Sequence, residues 1–431
     1  MVRSLVTAIA VLGLVTAVAA DPPLTVSSGP LRFEERLIMK GYTYPYGIAA
    51  GDIDGDGKLD ITSADALPHN SLYLFTNDGK LGFRKSLVQK DDPDRLERHA
   101  LGDIDGDGRL DIVIVKNLFG DLLWFRNSGR PAAGLWKRHV ITNKKLKGAY
   151  DVALGDFDGD GDLDVAASSW RLSNNFAWFE NDGTPADGEW TMRIIEADVP
   201  ETRTIRAADF DRDGDLDLLG TSRLGPRVVW YENSGKPATA GWKPHVIDSK
   251  TLQPIHGEPA DIDGDGDLDV LMAFGMTFAS QKKEQVLWYE NDGKGGGWTP
   301  HVITQGFEGA FEAVAVDLDG DKDIDVVATG WGDPGQVAWF ENTGDPRRGW
   351  RKHMIKTNWR RANQVIIGDF DGDKRPDIAA CAERGTLELR WWRNLGSGKI
   401  RNQRSRLDRR AKQRDRSTRG RLPASSRSPR R

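Results

Sequence analysis

The residues best equipped for chemistry in this chain are carboxylates at a fixed spacing. Asp52, Asp54, Asp56 and Asp60 occupy positions 1, 3, 5 and 9 of Asp-Ile-Asp-Gly-Asp-Gly-Lys-Leu-Asp. The pattern returns as Asp103, Asp105, Asp107 and Asp111, then as Asp156, Asp158, Asp160 and Asp164. Asp209, Asp211, Asp213 and Asp217 form a fourth copy; Asp261, Asp263, Asp265 and Asp269 a fifth. Asp317, Asp319, Asp321 and Asp325 make the sixth, and Asp369, Asp371, Asp373 and Asp377 the seventh. Carboxylates crowded into nine residues repel one another unless a cation lies between them. Calcium suits them: it takes 6–8 oxygens, here from alternating Asp side chains, a backbone carbonyl and water. The spacing predicts up to seven structural Ca2+ ions. An EF-hand would need flanking helices and a Glu at position 12, and the pattern has neither.

The elements that hold these loops repeat with them. Successive loops start 51, 53, 53, 52, 56 and 52 residues apart, a period that suits one four-stranded propeller blade. In the third repeat, residues 150–157 lead into the loop and 163–168 leave it. Phe176-Ala-Trp-Phe-Glu-Asn-Asp-Gly183 follows as a strand ending in a turn, and 190–195 closes the unit. A Trp-x-x-His piece recurs, ending at His139, His245, His301 and His353, and is read as structural. The last repeat lacks that fourth piece, whereas residues 33–38 carry its pattern ahead of the first loop. The sequence therefore predicts an all-β fold over residues 21–396. It is a seven-bladed β-propeller of four-stranded blades, closed by the N-terminal strand completing the last blade.

On these motifs the chain resembles the FG-GAP/VCBS repeat family over about residues 30–396. The resemblance implies a calcium-loop propeller, as in the integrin α head and the propeller of aldos-2-ulose dehydratase. It says less about function, because adhesins, secreted sugar-binding modules and a few enzymes share the repeat.

Function is sought where the repeats disagree. Five residues before each first Asp stand Gly47, Arg98, Asp151, Thr204, His256, Glu312 and Gln364. One position earlier stand Tyr46, Glu97, Tyr150, Arg203, Ile255, Phe311 and Asn363. The turns between second and third strands add His69, Trp170, Arg171, Arg223, Trp331 and Arg384. In up-and-down blades all of these gather on the face away from the acidic loops, as a rim that matters to a ligand and little to the fold. Aromatic faces and guanidinium groups suit a sugar or an anionic polysaccharide, so the expected partner is carbohydrate or an extracellular protein. The alternative is a carbohydrate lyase or dehydratase. There His256 or Tyr150 takes a proton, Arg98 stabilises the developing anion, and Glu312 or Asp151 orients the base. A Ser nucleophile elbow and an HExxH motif are absent, and a glycosidase carboxylate pair stays open.

Charge divides the chain unevenly. The net charge is −5, but residues 397–431 are rich in Arg and Ser and strongly basic, and they are read as a disordered tail. The acidic remainder is what bound calcium would neutralise. No nucleic acid is expected as partner. Residues 1–20 have the Arg, apolar run and Ala-Ala end of a secretory signal, too short for a transmembrane segment. A secreted or periplasmic protein is expected, with its one cysteine, Cys381, buried and inert.

Overall fold

The computed structural model describes residues 23–275, 284–293 and 296–397. The expected signal segment and nearly all of the basic tail lie outside these residues. The described chain forms seven antiparallel sheets in a ring, numbered here as blades one to seven: residues 45–89, 96–142, 149–196, 202–248, 254–305, 310–357 and 362–397. The first strand of each blade meets the first strands of its neighbours around the axis. No helix among the described residues is long and apolar enough to cross a membrane.

Burial follows radial position. The second strand is buried at all six positions in every blade, as in Asp164–Ser169 and Asp325–Gly330, because sheets cover both its faces. The fourth strand faces outward and mixes exposed with half-buried residues, as in Trp242–Asp248. The Trp-x-x-His motif has a packing role. His139, His245, His301 and His353 stack on Trp124, Trp230, Trp288 and Trp339 of the preceding strand, with ring centroids 4.3–4.7 Å apart.

In five of the blades the repeated Asn ties the blade to the one before. Asn127 Nδ2 donates to the Ile53 carbonyl at 2.8 Å, and Asn233 Nδ2 donates to that of Phe157 at 2.7 Å. Asn77 does the same to Phe370 at 2.7 Å, across the seam between blades one and seven.

Closure is as expected: Leu31–Lys40 lies beside Glu388–Ser397 as the fourth strand of blade seven. Glu35 fastens it, accepting from Lys356 Nζ at 2.6 Å, Arg390 Nη1 at 2.9 Å and Trp392 Nε1 at 3.3 Å. The sequence pattern did not show a fifth strand, Leu24–Ser28, which pairs antiparallel outside it. Cys381 is buried, and its Sγ donates to Asn363 Oδ1 at 2.8 Å.

One irregularity recurs in all seven blades and places the site. The register between first and second strands slips near the start of the first strand, for example between Leu96 and His99, Ala149 and Val152, and Ala310 and Glu312. A bulge there turns residues such as Arg98, Asp151 and Glu312 toward the axis.

Candidate functional site

The acidic loops gather as their spacing implies. In loops one to four the carboxylates at positions 1, 3 and 9 converge, as in Asp52, Asp54 and Asp60, with ligand oxygens within 4.8 Å of one another. In loop five positions 1, 3 and 5 do so: Asp261, Asp263 and Asp265. Position 9 has a second task. Asp60 accepts the Ile53 and Asn77 backbone N–H groups at 3.1 and 2.8 Å, and the other copies repeat both contacts except Asp111, which keeps only that from Asn127. Burial pushes these carboxyls up, Asp60 to about 6, Asp164 to about 7 and Asp377 to about 8.

A hard divalent cation fits this donor set. Asp52, Asp105, Asp158, Asp209 and Asp261 each bury an Oδ1 that no protein group reaches, and a cation would satisfy those oxygens and oppose the upward shifts.

The seven loops differ in their neighbours. Glu180, Glu232, Glu290 and Glu341 share one register in the third strands of blades three to six. Beyond the effect of burial, their charges help to raise Asp158, Asp211, Asp263 and Asp319. Blades two and seven have Arg126 and Arg393 at that register. Arg126 Nε lies 2.5 Å from Asp105 and its Nη2 3.2 Å from Asp107; Arg393 pairs with Asp371. These two loops carry a tethered cation from their own third strand, and in loop five Arg347 of the next blade pairs with Asp263.

The axial residues do meet, but as a buried plug rather than an exposed rim. Tyr46, Glu97, Tyr150, Arg203, Ile255, Phe311 and Asn363 are each at most 5% exposed. Arg98 of blade two reaches across the axis to Glu312 of blade six in a two-point ion pair, Nη1 to Oε1 at 3.0 Å and Nη2 to Oε2 at 2.8 Å. Asp151 holds Arg206 Nη1 at 2.7 Å. A second chain of bonds crosses beside them: Tyr46 OH to Tyr150 OH at 2.5 Å, Tyr150 OH to His256 Nε2 at 3.0 Å, and His256 Nδ1 to Thr204 Oγ1 at 3.0 Å.

That chain has a direction. Thr204 spends its one proton on the Ile255 carbonyl at 2.8 Å, so His256 must donate from Nδ1 and accept at Nε2. Tyr150 then donates to His256, and Tyr46 to Tyr150. Burial holds His256 well below its usual pKa, with Arg98, Arg206 and Arg203 adding to the effect. The Nε2 lone pair of His256 is therefore taken by Tyr150, and both residues are buried, an arrangement that lends no support to the proton abstraction expected of them.

Because the plug is buried, its polar groups should matter to stability, contrary to the rim expectation. Arg98→Ala leaves the buried Glu312 without its two-point partner and with only Arg206 Nη2 at 3.7 Å, a change expected to cost about 3–5 kcal/mol. Chemical unfolding of R98A, E312A and an R98M/E312L double variant tests this, with the double variant recovering most of the loss.

Outside the plug, the remaining expected residues split. Arg171 Nε and Arg223 Nε converge on Glu201 at 3.0 and 2.5 Å. Burial opposes ionisation of Glu201, but these hydrogen bonds win and bring it down to about 2. Arg384 lies over the Tyr44 ring at 4.5 Å, Arg361 over Trp331 at 4.5 Å, and Arg171 over Trp170 at 4.2 Å. Neither Arg384 nor Arg361 makes an ion pair among the described residues, although the Arg384 charge is felt by the adjacent Glu383 carboxylate. Trp170 Nε1 is likewise buried without an acceptor. His69 stands apart, exposed on its loop. Arg361 and Tyr44 were missed because they fall in strand-to-strand connections that the repeat comparison did not cover.

Among solved structures, the chain is similar to a lectin of Agrocybe aegerita described as recognising non-reducing terminal N-acetylglucosamine. Identity is 19%, coverage 82% of this chain and 86% of that one, and the TM-score 0.51. It is also similar to BBS1N in complex with ARL6DN, at 12% identity, 88% and 98% coverage and a TM-score of 0.55. Both likenesses are of fold alone. No curated protein matches the sequence. The FG-GAP-like repeat matches six overlapping stretches: 52–114, 103–167, 156–220, 209–272, 261–328 and 317–380. With the seven loops and seven blades in register, the chain belongs to the FG-GAP-like repeat family.

Proposed function

We propose that this is an exported, calcium-stapled propeller that binds an anionic carbohydrate on the face opposite the acidic loops. One observation carries the reading: Arg361 and Arg384 are held on aromatic rings there, and neither makes an ion pair among the described residues. A guanidinium stacked on an aromatic face keeps its edge free for a carboxylate or sulfate. The same stacking covers Trp331 and Tyr44, so a neutral sugar has less ring to lie on. The lectin's sugar specificity agrees with a glycan ligand in general terms, but the choice of an anionic one rests on the arginines. Binding without catalysis is favoured because the plug's only histidine and its tyrosines are committed to one another.

The test is titration of calcium-loaded protein with polygalacturonate, heparin and a neutral glucan. Binding to an acidic polymer, weakened by salt, is expected. R361A and R384A should each reduce it roughly tenfold or more, as loss of a charged contact costs about 1.5–3 kcal/mol. Ultraviolet absorbance of the same mixtures reports any unsaturated product, which would restore the lyase reading. Equal affinity for the neutral glucan would remove the proposal.

A further inference from the structure

On the acidic-loop side of the plug the axis widens into a cavity of about 540 Å3, within the range of small-molecule sites. Its wall is apolar, with Ala50, Leu154, Ala207, Val314 and Ile366 contributed by five blades. Its floor is polar: the Arg98–Glu312 and Arg206–Asp151 pairs, with Glu258 and Gln364.

Besides His99, whose Nδ1 is buried without a partner, three polar groups facing this space have spare capacity. Glu258 Oε1 accepts the Ala315 N–H at 2.6 Å, while Oε2 has no partner among the described residues. Gln364 Oε1 accepts the Ile48 N–H at 2.7 Å, leaving its Nε2 without an acceptor among them. Arg206 commits Nη1 to Asp151, but its Nη2 approaches Glu312 only to 3.7 Å. One acceptor and two donors, from blades five, seven and four, thus line a chamber whose sides are apolar. Guanidinium and carboxylate groups nearly balance on the floor, so a strongly charged ligand meets repulsion from one sign or the other. A hydroxyl both donates and accepts, and a sugar ring adds an apolar C–H face.

We propose that the axial cavity is a second ligand site, reached from the acidic-loop side, for a neutral polyhydroxylated molecule of monosaccharide size. Glu258 accepts from a ligand hydroxyl, and Gln364 and Arg206 donate to others. The site lies on the other side of the plug from Arg361 and Arg384, so the two proposals stand or fall separately.

The experiment is saturation-transfer NMR on the full calcium-loaded chain with D-glucose, D-galactose, D-mannose, L-rhamnose and myo-inositol, and with spermidine as a charged control. Transfer to at least one neutral probe is expected. Ala207→Phe, which fills the cavity, should abolish it while leaving acidic-polymer binding intact. Glu258→Gln keeps the acceptor for Ala315 and should weaken the same probe about tenfold; it is the deciding variant if the Phe substitution prevents folding. Transfer to none of the neutral probes overturns the proposal. So does transfer only to spermidine, or transfer undiminished in both variants.

Discussion

Excess chelator is expected to lower the melting temperature by roughly 10 °C or more. A site held a hundredfold above its dissociation constant contributes about 2.7 kcal/mol, and several loops act together. The pH dependence of the stripped protein follows from the position-9 carboxyls, which burial raises to between about 6 and about 8. A carboxyl raised in the folded state binds its proton more tightly there than when unfolded. Folding is therefore unopposed below about pH 4 at these groups, and the penalty grows as pH climbs toward 8. Melting in chelator should fall across that window, whereas the calcium-loaded protein should change little. The loops should not fill equally. Arg126 and Arg393 compete for loops two and seven, so calcium counted by mass spectrometry of the native protein is expected below seven ions. R126E and R393E should each add one. An unchanged melting curve in chelator would show that the loops need no metal.

The second large effect concerns closure. Deleting residues 21–40 removes the outer strands of blade seven, strips Trp392 of cover and leaves Lys356 and Arg390 without Glu35. It also exposes the edge of Glu388–Ser397 to pairing with other chains. Aggregation, or loss of the soluble monomer in size-exclusion chromatography, is expected. Deleting 400–431 should leave the melting curve in place. Equal stability of the two truncations would refute closure by the N-terminal strand.

What the sequence revealed depended on repetition. Asp60 and its six counterparts, Asn77 and its counterparts, and the Trp–His pairs announce themselves because every blade solves the same local problem. The missing fourth strand of the last repeat was visible for the same reason. The plug was legible as a set of residues but not as an environment. Whether Arg98 is exposed depends on Glu312, 214 residues away, and on seven bulges that bring the first strands together. Arg206 and Glu258 were open to the same comparison of repeats. Their position holds Ala49, Ala100, Ala153, Val314 and Ile366 elsewhere, so two charges among five apolar residues were a signal two residues beyond the positions compared. Leu24–Ser28 gave no signal, since a strand exposed at three of its five residues needs no apolar alternation.

The join between Glu35 and Trp392 also governs how the ring is made and lost in time. These partners are 357 residues apart, so closing that loop in a flexible chain costs about 5 kcal/mol of entropy. The sheet pairing of each of the other blades joins residues within about fifty of one another, and the long-range bonds Asn77–Phe370 and Arg98–Glu312 accompany closure of the ring. Folding thus runs as a cheap sequence of local steps with one expensive event, and the seventh sheet is the natural last to complete. The reverse holds for unfolding: the barrier sits at a single seam, and the lifetime of the native ring is set there rather than by the average stability of its blades.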